Sequence, residues 1–343
     1  MQKALRRDKS FYRYLARLTA PIALQNLITF SLGLIDTLMV SQLGNTEMAA
    51  VTTANVPVFL LIFGKAGFPM LGVEGAAVAT LISRVAEFAV CLICALRSRT
   101  IPLRLQAFFH PGWEMCRRFI KYSSPVLLNE IAWGLGNSML TVILGYTVNS
   151  VEYLAANAVM GNLNRLFLVV CFGLGAATAV IVGKAIGEGK SHQEVLDLSH
   201  TLLWVTILVG LALAAVALVL VPLLFQPIVF PLFKLYDQTA QIATALAVTG
   251  FASIPLHAYS ITAVTGVLRA GGDVFCSAAL DISPQWLVAL PLTAVIALVT
   301  NASCWWVAAA VQAESLLKCP LCWYRIRKGR WIHDVTLPEG RDL

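Results

Sequence analysis

Charge is what this sequence has least of. Only 13% of its residues are Asp, Glu, Lys or Arg, against about 25% in ordinary soluble domains. Too little charge remains to clothe a globule in water, which excludes a soluble enzyme or binding domain. Motifs for hydrolytic chemistry are also absent. There is no G-x-x-x-x-G-K-[ST] string, no H-E-x-x-H and no nucleophile elbow, so neither an ATP-driven pump nor an enzyme of those classes is expected. Histidine is scarce, with five in the chain. None lies near Cys91-x-x-Cys94 or Cys319-x-x-Cys322, and a tetrahedral zinc set needs more ligands than either pair supplies. No metal and no cofactor are expected. The ten-residue alternating strands of a membrane barrel are missing as well. The first apolar stretch is long and lacks a small-residue cleavage site, so no removable signal peptide is expected.

Long apolar runs are what the sequence does have. Hydrophobic residues make up 58% of the chain, and nine apolar segments stand out, near 18–42, 46–64, 71–96, 119–147, 155–183, 198–225, 238–267, 275–300 and 302–321. A span needs roughly 20 apolar residues, so the reading is an all-α polytopic membrane protein. The net charge of +7 does not point to nucleic acid. The basic residues cluster at Lys3–Arg17, Arg97–Lys121 and Lys318–Arg341, beside apolar runs, as cytoplasmic loops do. Both termini are therefore placed in the cytoplasm of a cell-membrane protein.

The positive-inside rule then meets a difficulty. Six segments separate the central basic stretch from the C-terminal one, an even number, but three separate the first two basic clusters. The weakest of those three is 46–64, whose first half carries Glu47, Thr52, Thr53, Asn55 and Pro57. It is read as re-entrant or packed on protein, leaving eight spans. A weak repeat links Thr19-Ala20-Pro21-Ile22-Ala23-Leu24 to Ser123-Ser124-Pro125-Val126-Leu127-Leu128. Two halves running in the same direction would be related by an axis along the membrane normal, a common transporter plan.

Five stretches carry a family resemblance: I-D-T-L-M-V-S-Q-L-G at 35–44, F-G-K-A-G-F-P-M-L-G-V-E-G-A-A-V-A-T at 63–80, F-G-L-G-A-A-T-A-V-I-V-G-K-A-I-G-E-G at 172–189, G-V-L-R-A-G-G-D at 266–273 and G-R-W-I-H-D-V-T at 329–336. In this order they resemble the multidrug and toxic compound extrusion (MATE) family of cation-coupled efflux transporters. The resemblance implies a two-lobe helical bundle of twice six helices. Here the C-terminal six-helix lobe is complete, and the N-terminal lobe is reduced to about three segments, the family's third and fourth helices being absent. The divisions expected are 1–96 for the truncated lobe, 97–121 for a basic linker, 122–325 for the complete lobe and 326–343 for a tail.

Ionisable groups inside a membrane segment are costly, and so mark function by default. Asp36, on one helical face with Thr29, Gly33 and Thr37, matches the family's first-helix aspartate, implicated there in proton or sodium coupling. Glu130 heads a stripe with Gly134, Asn137 and Thr141 and approximately matches a family glutamate. Asp281 and Gln285 stand one turn apart around Pro284. Asp36, Glu130 and Asp281 are the cation-coupling candidates; Asn137, Asn157, Asn164, Tyr259 and Gln285 are the cavity-lining ones. Interhelical hydrogen bonding alone is the competing account of each stripe. Where some sodium-linked members carry an acid, this chain reads Pro255-Leu256-His257-Ala258-Tyr259, which favours protons over sodium. His257 is read as a satisfied neutral histidine, Arg84 and Glu87 as an i, i+3 pair, and Arg269 and Asp273 as structural residues around a Gly-Gly turn.

The resulting expectation is a secondary antiporter that exports small organic cations, contacts membrane lipids and binds no nucleic acid, its action impaired by the missing helices. Two alternatives are a non-transporting remnant or scaffold that needs a partner chain, and a lipid or oligosaccharide flippase of the same superfamily. A flippase tends to line its cavity with several basic residues, and this sequence offers mainly Arg165 there, which favours cationic cargo.

Overall fold

The computed structural model of the chain describes residues 8–43, 112–300 and 303–333. Two compact units result, Met1–Ile28 with Tyr122–Leu343 as one and Thr29–Lys121 as the other. In the second unit the described residues are the C-terminal part of the first helix, up to Leu43, and the first turns of the second. The segments 46–64 and 71–96 and the Arg84/Glu87 pair lie outside the described residues.

The long described segments are helical, because a backbone in hydrocarbon must satisfy its own N–H and C=O groups. Helix α1 is Lys9–Leu43 and α2 is Trp113–Gly145. The repeated Pro21 and Pro125 lie within them. Helix α3, Ser150–Gly187, ends at the turn containing Gly189, whose φ of +69° favours glycine. Helix α4, His192–Leu220, begins at a reciprocal cap. Ser191 Oγ accepts from the Glu194 amide, and the Glu194 carboxylate accepts from the Ser191 amide. Its axis runs on through a π-helical stretch, Val221–Val229. Helices α5, Asp237–Ala252, and α6, Ile254–Ile261, meet at Ser253 with a bend of 49° between Asp237–Ala252 and Ile254–Leu268. Pro255 at the start of α6 accounts for the break. Helix α7, Val274–Pro284, continues through alternating π and α turns to Val299. Helices α8, Cys304–Val311, and α9, Ala313–Arg327, complete the described fold.

Four helical stretches are long and apolar enough to cross a membrane among the described residues, Phe119–Gly145, Ser150–Gly187, His192–Leu232 and Val274–Val299. The bent α5/α6 pair makes a fifth if it is one span. The chain is thus a multi-pass membrane protein. The apolar segment 302–321 forms two helices rather than one, parting at Gln312, which accepts a hydrogen bond from Ser253 Oγ at 3.0 Å.

Helix α3 is the centre of the first unit, packed on α4, α5, α6 and the π-helical stretch Thr262–Leu268 that follows α6. Its stretch from Leu166 to Gly183 carries no charged residue, as a buried helix segment should not. Small residues permit the close approach. A Cβ at Gly266 would stand 2.9 Å from the Gly175 carbonyl oxygen, and one at Gly210 would stand 2.9 Å from the Pro255 Cα. The early part of α1 joins this core, with Leu15 buried and Thr19 and Ala23 against Gly173. Phe167, Phe225 and Phe251 form an aromatic group with ring centroids 5.1 to 6.3 Å apart. The segment after α9 turns back at Gly329, and Trp331 is fully buried against Gly271, donating Nε1–H to the Ile326 carbonyl. This docking was not anticipated for a tail.

Candidate ion-coupling site

A chain of opposite charges runs through the first unit from α2 to α9 and α6. It starts at Glu130, whose side chain is 59% exposed and accepts from Arg269 Nη1 at 3.1 Å. Arg269, directly after the π-helical stretch Thr262–Leu268, is itself largely buried and places Nη2 3.8 Å from Asp281 Oδ2. Asp281 on α7 accepts from Asn129 Nδ2 at 2.9 Å and from Lys318 Nζ at 3.0 Å. Lys318 also lies 3.7 Å from Glu314, one turn earlier on α9. Glu314 stands 3.8 Å from His257 Nε2 on α6, and Ser315 and Ser253 hydrogen-bond the same imidazole.

Three carboxylates, two fixed cations and one imidazole thus share a single network. Lys318 is its most buried charge, its side chain 5% exposed. Removing a charge from water costs several kcal/mol, and here each buried charge has a counter-charge within 4 Å. The arrangement can hold or release a proton or cation at a carboxylate whose partner has a second carboxylate to turn to.

The sequence candidates divide on this map. Asp281 lies at the centre of the network. Glu130 lies at its exposed end, and the neighbouring positions of its stripe are open too: Gly134 has no atom near its missing Cβ, and Asn137 donates to the Trp133 carbonyl of its own helix. Gln285 is buried and packed over Gly136, with Oε1 unpartnered. Asn164 also has a buried, unpartnered Oδ1, near Gly250. Tyr259 is buried with its hydroxyl unpartnered, and Asn157 is half-buried on α3. Asp36 lies in α1, but its side chain is outside the described residues.

One basic residue requires correction of the sequence reading: Lys318 belongs to the interior of the lobe and not to a solvated terminal cluster. Arg165 is exposed on α3, and Arg269 and Lys318 are the bases of the lobe interior. The signal that could have located Lys318 was present: Glu314 and Lys318 are an i, i+4 ion pair inside an apolar segment. Arg269 and Asp273, grouped as structural neighbours of the Gly-Gly turn, reach different helices. Asp273 accepts from Arg325 Nε at 2.7 Å, whereas Arg269 joins the network. Among the described residues no group of three or more His, Cys, Asp or Glu is arranged to hold a metal ion.

The MatE family model matches residues 125–295, from the early part of α2 to the last turns before Val299. The chain belongs to the MATE family. A relative in that family, the multidrug resistance protein NorM of Vibrio vulnificus (strain YJ016), is 30% identical over 252 residues, covering 71% of this chain and 52% of that protein. An uncharacterized transporter of Bacillus subtilis (strain 168), YisQ, is 23% identical over 68% of this chain and 50% of its own length. The chain spans about half the length of these relatives. Its fold matches a solved multidrug resistance MATE family transporter of the MOP superfamily in its outward-facing conformation, with a TM-score of 0.67 and 18% identity, over 82% of this chain and 62% of that one. A crystal structure of MATE in the bent conformation gives 0.64 and 17% over 82% of this chain and 62% of that one. The two-lobe bundle is therefore the fold class, with the MATE C-terminal lobe formed by α2 to α9.

Proposed function

We propose that this chain is a MATE-type secondary antiporter component that exports small organic cations in exchange for protons, with coupling centred on Asp281. The observation that carries this reading is the position of Asp281, a largely buried carboxylate shared by Asn129, Arg269 and Lys318 from three other elements. A proton or a cationic cargo that reaches it must displace or rearrange an existing partner, which makes occupancy by the two mutually exclusive. That exclusion is the thermodynamic requirement of exchange.

Protons are favoured over sodium because the Pro255–Tyr259 stretch offers His257 and no carboxylate. Cationic cargo remains favoured over a flippase's anionic cargo. Arg269 and Lys318 are each neutralised by carboxylates, so the lobe interior presents no unbalanced positive charge.

Alternating access needs two lobes rocking around a shared site. With half the length of its relatives, this chain is expected to give little or no efflux alone, its Asp36 lacking the partners the family places on the missing helices. The test is proton-gradient-dependent ethidium efflux from cells expressing this chain, beside a version in which the missing helices are restored. Strong efflux only from the restored version supports the reading. Equal efflux from both would overturn the impairment argument, and gradient-independent efflux from both would overturn the antiport.

A further inference from the structure

Lys318 and the two acids beside it resemble an occupied ion site. Its Nζ lies 3.0 Å from Asp281 Oδ1 and 3.7 Å from Glu314 Oε2, and the two carboxylates come from different helices, α7 and α9. An ammonium is a compact, strongly hydrated point charge, and hard monovalent ions ask for the same oxygen donors it does. Asn129, 1% exposed, binds Asp281 through Nδ2 and keeps its own oxygen, Oδ1, buried and without a protein partner. An unused amide oxygen at the edge of a carboxylate site is a further donor that an ammonium already in place does not engage.

We propose that Lys318 is a tethered cation whose ammonium fills a monovalent-cation site built from Asp281, Glu314 and the Asn129 amide, so that the lobe works without sodium. The charged and titratable groups around the site are, on α9, Glu314, Cys319 and Cys322; on α7, Asp281 and Cys276; on the α6 segment, His257, Tyr259 and Arg269; and on α2, Glu130. Arg269 stands between Glu130, at 3.1 Å, and Asp281, at 3.8 Å, and Lys318 stands between Asp281 and Glu314, with His257 beside Glu314. When Asp281 is protonated the ammonium has Glu314 to hold it, and when Asp281 loses its proton the ammonium returns. No alkali ion is required at either step.

This inference rests on the proton-coupled reading but is tested apart from it, by thermal unfolding of the purified full chain in sodium, potassium or choline chloride at equal ionic strength. The wild type should unfold at one temperature in all three salts. Lys318→Gln empties the site, and about 100 mM sodium should then raise its midpoint over choline by about 2–4 °C. Asp281→Asn/Lys318→Gln should lose that response. A sodium-specific shift in the wild type, or none in folded Lys318→Gln, would overturn the proposal. Should Lys318→Gln aggregate in choline, extraction in sodium should give a monodisperse species. Aggregation in both salts, with Lys318→Arg monodisperse, would show that no free ion replaces the ammonium and would also overturn it. A sodium-responsive Lys318→Gln in a chain whose restored version shows no proton-driven efflux would defeat the transport reading and leave the site standing.

Discussion

Gly266 and Gly134 sit in helical segments of the same lobe, yet their surroundings differ completely. A Cβ at Gly266 would lie 2.9 Å from both the Gly175 carbonyl oxygen and Thr178 Cβ, whereas nothing lies within 4 Å of the missing Cβ of Gly134. Gly266→Ala should destabilise the lobe by about 1–3 kcal/mol, because a backbone must move to admit the methyl. Gly134→Ala should be neutral or stabilising by up to about 1 kcal/mol through helix propensity alone. Thermal unfolding of the two variants in one detergent checks the contrast, and equal losses would contradict the packing described. Residue-scale electrostatics outside the membrane is seen at Glu188, whose carboxyl is held below the ordinary glutamate range by a hydrogen bond and charge from Lys190 and by charge from Lys184. The depressed folded value fixes the sign. The contribution is present above the unfolded pKa and is lost as pH falls through the folded one. Amide exchange at Gly189, corrected for its intrinsic rate, should therefore accelerate in acid in the wild type. In Glu188→Gln that acid-induced change should be absent.

Helices were legible in the sequence where an apolar run was long, as in α3 and α4, since length and hydropathy alone decide whether a segment can cross. Their ends were less legible. Caps such as Ser191/Glu194 extend a helix past its apolar run: α3 outruns the segment read as 155–183 at both ends, and α4 begins at His192, ahead of the segment read as 198–225. The ion-pair chain was hidden for another reason. It depends on how α2, α6, α7 and α9 are registered against each other, so Asp281 could be singled out, and Lys318 could be paired with Glu314 on its own helix, but the pairing of Lys318 with Asp281 could not be read. The docking of Trp331 was likewise invisible, because a tryptophan after a basic helix end also fits an interfacial belt. Two variants test this level. Ser191→Ala removes the cap of α4 and should cost about 1 kcal/mol. Trp331→Ala empties a fully buried site and should cost about 3–5 kcal/mol. If Trp331→Ala unfolded at the wild-type temperature, the segment after α9 would not be part of the core.

At the scale of the whole molecule, the lobe formed by α2 to α9 carries a connected network of three carboxylates, two fixed cations and an imidazole through an apolar body, and exchange is proposed at the carboxylate at its centre. Under that assignment cargo and proton compete for Asp281, with or without a complete transport cycle. The most direct measurement is proton release from purified protein in weakly buffered solution when ethidium is added, followed from neutral to acid pH so that the carboxylate is protonated at the start of part of the series. The account predicts release that saturates with ethidium binding in the wild type and disappears in Asp281→Asn, while Glu130→Gln, at the exposed end of the network, retains part of it. Ethidium binding with no proton release in the wild type, or undiminished release from Asp281→Asn, would contradict it.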